Sequence, residues 1–275
     1  MEAHRRYHYH ANAHVLSAHL TRPIQHIIEV QAATSLPTTG GVGRSRVENF
    51  RFQEVVSFKA GYSHVSGSEK SEGGKTIHTT HATAAVEGLN ILDVVTADRI
   101  VVRLSSSFPG ENSPDNEGRI VIVGTKFENL RVAGCPIEVE LHHELALDLG
   151  TFAEVKSAYT RNEEFKKLSK EPKKAPGDNG VVYCSLVKHL WLSQCGSLLE
   201  DAAGGAPPDV KVKRCHGVKR SGHTLKVEEF GTIHLAEILF EHGRKTVTMM
   251  RVELGSPNGG LLTLVEGSTN GRPPS

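Results

Sequence analysis

Imidazole is the group in this chain with the widest chemical scope. Sixteen of the 275 residues are histidine, and a neutral imidazole nitrogen can bind a metal or move a proton near neutral pH. His8, His10 and His14 recur in the first segment. On a strand, residues two apart project from the same face, so His8 and His10, about 7 Å apart along the backbone, can share a divalent metal and are the candidate ligands. His14 lies about 20 Å from His8 on a straight strand and joins them only if the chain bends. A second group is His142, His143 and Glu144 with Asp148, beside Glu138 and Glu140. Imidazole and carboxylate together offer cation binding or acid–base chemistry, yet neighbours on a strand face opposite ways, which favours a polar strand there. A third group, His216, His223, His234 and His242, is spread over separate predicted strands, so only the fold can bring its members together. Cys135, Cys184, Cys195 and Cys215 are widely spaced without a CxxC pair. They fit reduced thiols, with three disulfide pairings formally open.

The familiar catalytic motifs are missing from the sequence. There is no P-loop, no GxGxxG after a strand, no GxSxG, no HExxH and no kinase signature, so no catalytic residue is assigned. Lys plus Arg number 32 against 31 Asp plus Glu. That balance gives no global basic field of the kind that holds nucleic acid, and nucleic acid is not an expected partner. No run approaches the roughly 18 apolar residues of a membrane span, and MEAHRRYHYHANAH lacks the apolar core of a secretory signal. The default expectation is a soluble, cytoplasmic protein. Leu36-Pro37-Thr38-Thr39-Gly40 matches a surface-sorting pentapeptide, but the residues after it are Gly41, Val42, Gly43 and Arg44, and it reads as a turn.

The elements that must position these residues are strands. Residues 7–20 alternate, with Tyr7, Tyr9, Ala11, Ala13 and Val15 on one face and His8, His10, Asn12 and His14 on the other. Further strands are predicted over 24–33, 50–60, 76–86, 100–104, 120–123, 130–132 and 137–141. Beyond residue 180 they are predicted over 181–192, 210–213, 224–228, 232–240, 246–254 and 261–265. Turns rich in Gly, Pro, Ser and Asn separate them, which argues for a mainly β fold, an antiparallel β-sandwich or barrel-like architecture. One helix interrupts the pattern near 151–169. It opens on the capping box Thr151–Glu154 and is stopped by the linker KEPKKAPGDNG. The organisation read from these elements is a β-rich half over 1–150, helix and linker over 151–180, a second β-rich half over 181–266 packing on the first, and a flexible tail over 267–275.

The runs AAVEGLNILDVVTADRIVVRL and GTKFENLRVAGCPIEVEL resemble the recurring VTAD…GT.F.NL.V.G.PI pattern of uncharacterised bacterial β-rich proteins, including extracellular domains of uncertain anchoring. FGTIHLAEILF and TVTMMRVELGSP extend the resemblance into the carboxyl third. It implies a bacterial origin and a β fold and transfers no functional residue. The same motifs have a physical reading. Phe127, Leu130 and Val132 are core anchors, Asn129 is a turn or bulge residue, Gly134 makes a tight turn, and Asp98 and Arg99 cap a turn or form an ion pair.

The function expected from these features is a non-enzymatic structural or interaction protein, a binding module presenting edge strands and polar loops to a protein or a carbohydrate. The alternative is a metal-binding protein or metal-dependent enzyme using its histidines. An open edge strand also leaves room for a homo-oligomer.

Overall fold

The computed structural model describes residues 7–73, 75–109, 117–142, 147–161, 181–192 and 217–270. Their strands form two antiparallel sheets of nine, packed as a sandwich and not closed into a barrel. The first sheet runs β14 (Val218–Ser221), β15 (Thr224–Val227), β16 (Gly231–Glu241), β17 (Arg244–Leu254), β18 (Gly259–Asn270), β1 (Ala11–Arg22) and β2 (His26–Gln31). In it β12 (Val181–Ser185) also pairs with β16, and β3 (Thr34–Ser35) with β1. The second runs β13 (Val187–Leu192), β11 (Cys135–Leu141), β10 (Arg131–Val132), β7 (Val95–Phe108), β6 (Lys75–Ile91), β5 (Val56–Glu72) and β4 (Gly41–Phe52). Here β8 (Arg119–Ile122) and β9 (Lys126–Glu128) also pair with β7.

The mainly β sandwich expected from the alternation is the observed fold. Tyr7, Tyr9, Ala11, Ala13 and Val15 are buried as the first-strand periodicity requires. The capping box is formed: the Glu154 amide donates to Thr151 Oγ1 at 3.3 Å and the Thr151 amide to Glu154 Oε2 at 3.0 Å. The helix it opens, α1, spans Phe152–Arg161 and buries Phe152 and Val155; the rest of the predicted helix, the linker and strand 210–213 lie outside the described residues. The LPTTG frame is a turn closed by Gly40 N donating to Pro37 O at 2.9 Å, and Ala133-Gly134, both at positive φ, make the two-residue turn between β10 and β11.

The strand assignments and the cysteine reading change in places. The segment 181–192 is two strands, and they belong to different sheets: β12 pairs with β16, β13 pairs with β11, and the chain crosses between sheets at Leu186. β1–β3 share a sheet with β14–β18. Residues 267–270 belong to β18 and pair with β1 through Ala11 and Thr269, so the strand runs into what reads as tail. Finally, Cys135 is disulfide-bonded, which departs from the reading of four reduced thiols. Cys184 is a buried free thiol, pushed up to about 12 by burial.

One irregularity shapes the first sheet. Val15–Leu16, Leu264–Val265, Met249–Met250 and Leu235–Ala236 are consecutive pairs, all buried, at one level of four neighbouring strands. In a regular strand the second of each pair would face out. Ala236 and Val265 have φ of 48° and 55°, as at β-bulges, which bend a strand and reverse the phase of its alternation. Aligned side by side, these positions make a crease across the sheet. The second sheet shifts phase between Val86 and Leu89, with Gly88 at φ 64°. The sheets approach closely at the crease: a Cβ on Gly61 of β5 would stand 2.9 Å from Val15 Cγ1.

Candidate functional site

The crease brings together polar side chains that regular strands would separate. His234 and Glu237 are three residues apart on β16 and would face opposite ways without the bulge at Ala236. With it, both stand on the outer face of the first sheet. The β15–β16 hairpin sets Thr224 opposite His234, which brings His223, in the turn before β15, to the same place. Arg251 of β17 lies opposite His234. Its guanidinium grips the Glu237 carboxylate with two bonds, Nε to Oε2 at 2.7 Å and Nη2 to Oε1 at 3.0 Å, and also donates to Glu253.

Glu237 is 3% exposed, and a carboxylate so removed from water needs a fixed cation. Hydrogen bonding to Glu237 holds the Arg251 guanidinium above its usual range against the opposing effect of burial. The Tyr183 phenol of β12 is pushed up by burial and then by the neighbouring Glu237. The imidazoles sit on the other side of the carboxylate: His223 Nε2 is 3.7 Å and His234 Nδ1 3.5 Å from Glu237 Oε1, and His234 Nε2 is 3.3 Å from Glu253 Oε1. His223, His234 and Glu237 each offer a ligand atom within 4.8 Å of the others, the one such trio among the described residues. The polar row continues across the sheet, where the Thr248 hydroxyl donates to Glu266 Oε2 at 2.8 Å and His14 Nδ1 stands 3.9 Å from Glu266 Oε1.

The sequence-predicted histidines lie elsewhere. His8 is exposed, and His10 is half-buried with Nε2 at 3.3 Å from Asn12 Nδ2. Burial and then Arg244 lower the His10 pKa. Of the second group, His142 is buried and its amide donates to Leu186 O at 2.7 Å; His143 and Glu144 lie outside the described residues, as does His216 of the third group. Asp98 accepts from Asn129 at 3.1 Å, and Arg99 pairs with Glu87 at 3.5 Å, so the VTAD and FENL motifs meet in structural roles.

The second sheet carries a different kind of site. Thr125, Lys126 and Phe127 of the β9 region, residues 138–141 of β11 and Trp191 of β13 line a groove of about 350 Å³. Trp191 is the single tryptophan of the chain and is 47% exposed. Register places it opposite Glu138, and His189 opposite Glu140. His189 leans on the indole at 5.3 Å between ring centres, and Lys188 stands 3.3 Å from Glu140. An amphipathic indole left half in water beside carboxylates is a surface built to meet an amphipathic ligand.

Next to the β16–β17 turn, on the inner face of β17, Lys245 is 3% exposed. Its ammonium donates to Ile120 O at 2.6 Å and to Leu149 O. Burial pulls it down to about 7, against the attraction of Glu117.

The fold and these two outer faces define a two-sheet β protein with a buried polar cluster on one side and an open aromatic groove on the other. The chain belongs to a family described as a domain of unknown function, DUF8256, whose model matches residues 7–175. No curated protein and no solved structure matches it. The match spans β11 and most of the groove but stops before Trp191 and before β14–β18.

Proposed function

We propose that the protein is a non-enzymatic binding module that takes a carbohydrate in the Trp191 groove. The observation that carries this reading is the exposure of the lone indole above a groove flanked by Glu138 and Glu140. A pyranose ring has an apolar C–H face, which packs on an indole, and equatorial hydroxyls, which donate to carboxylates; both groups stand along one edge of the groove. The strands hold them at fixed spacing, so little ordering entropy is lost on binding.

Trp191 is its own reporter. Titrating the protein with a panel of neutral oligosaccharides while following tryptophan emission is expected to give a saturable change for at least one of them; followed by titration calorimetry, the same binding should be abolished in Trp191→Ala and partly retained in Trp191→Phe. A panel that leaves the emission unchanged sinks the carbohydrate assignment.

A further inference from the structure

We propose that His223 Nε2, His234 Nδ1 and Glu237 Oε1 form a binding site for a divalent transition-metal ion of the zinc class. The proposal is independent of the Trp191 groove.

The spacing is the first argument. Both imidazole nitrogens face the same carboxylate oxygen, at 3.7 and 3.5 Å, beyond the range of a good hydrogen bond. With metal–ligand bonds of about 2.1 Å, the ligand atoms of a tetrahedral site stand about 3.4 Å apart. The two distances are close to two edges of such a tetrahedron, and the third lies within 4.8 Å. The donor set, two nitrogens and one carboxylate oxygen, suits zinc better than magnesium or calcium, which prefer oxygen alone.

The surroundings are the second argument. His223 Nε2 is buried without a hydrogen-bond partner, an atom with a lone pair to offer once the proton sits on the other nitrogen. His234 Nε2 stands 3.3 Å from Glu253 Oε1, near enough for charge attraction though not aligned for a hydrogen bond with it, and a carboxylate beside that nitrogen favours the opposite one as the ligand. Arg251 anchors Glu237 through both oxygens, with Nη2 on Oε1 itself, which leaves that oxygen's other lone pair for the ion. Glu237 and Glu253 together carry one more negative charge than Arg251 cancels, and a cation between the imidazoles meets that excess. The fourth corner falls to water or to the Thr224 hydroxyl, 3.3 Å from His234 Nδ1.

The test is equilibrium dialysis of the untagged full chain against zinc chloride, with circular dichroism to confirm each variant's fold. One saturable ion per chain is expected at pH 7.5. His223→Ala and His234→Ala should each weaken it more than tenfold, and Glu253→Gln about tenfold. The double variant His8→Ala/His10→Ala should bind as the wild type does. Affinity should fall from pH 7.5 to 5.5 as protons compete for the imidazoles. No saturable zinc, binding unchanged in His223→Ala, or loss confined to the His8/His10 variant would each overturn the site. If His234→Ala does not fold, His223→Ala, placed in a turn, decides alone.

Discussion

The outer face of the first sheet and that of the second treat polar side chains in opposite ways. Around Glu237 the charges are committed to one another about one buried carboxylate: a bidentate guanidinium, a half-exposed second carboxylate and two imidazoles share a few ångströms of space. Around Trp191 the polar groups stand apart at the surface, and the pairs they form, such as Lys188 with Glu140, are open to water. Screening makes exposed pairs weak, whereas a buried pair is costly to break once made. The first region therefore fixes the positions of its atoms. The second keeps its groups in contact with water, which a ligand can displace.

Mutations test this contrast. The largest effect is expected for Arg251→Met, which strands the Glu237 carboxylate and should cost about 3–5 kcal/mol in urea denaturation; a loss under about 1 kcal/mol would remove the distinction between the faces. Next comes Lys245. Its folded pKa of about 7 lies below the ordinary 10.5, so between those values the unfolded chain binds more protons and stability rises with pH. Lys245→Met should abolish that rise and, by orphaning two carbonyls, cost about 1–3 kcal/mol at alkaline pH. Gly61→Ala, pressing a methyl on Val15 between the creases, should cost about 1–3 kcal/mol by thermal or chemical unfolding. Smallest are the groove variants: Trp191→Ala and Glu140→Gln should each move stability by about 0.5 kcal/mol or less, while Trp191→Ala eliminates oligosaccharide binding.

Much of the fold was legible because alternation reports burial on one face. It failed where that condition fails. β4, Gly41–Phe52, is an edge strand exposed or half-exposed throughout, so Gly41-Val42-Gly43-Arg44-Ser45-Arg46 shows no apolar rhythm. The break at Leu186 is invisible because β12 and β13 are both apolar enough to read as one run. The site was less legible. His234 and Glu237 stand at a spacing that means opposite faces, and only the bulge at Ala236 reverses it. A partial signal existed in the two predicted strands 224–228 and 232–240. Folded as a tight hairpin they set Thr224 opposite His234, which draws in His223. His8 and His10 have the right period; His8 is exposed and His10 stands 3.3 Å from Asn12 Nδ2. Trp191 could have been singled out as the lone tryptophan, but its exposure follows from an edge position that only pairing defines.

The pairing of β1 with β18 joins segments from opposite ends of the described chain, Ala11 with Thr269. The first sheet cannot assemble in the order in which its strands are synthesised: β1 must wait, one hydrogen-bonding edge without its partner, until the chain as far as β18 has followed. Contacts between such distant segments slow folding and leave apolar strands open to wrong partners meanwhile. Time, rather than final stability, is where this architecture is most vulnerable.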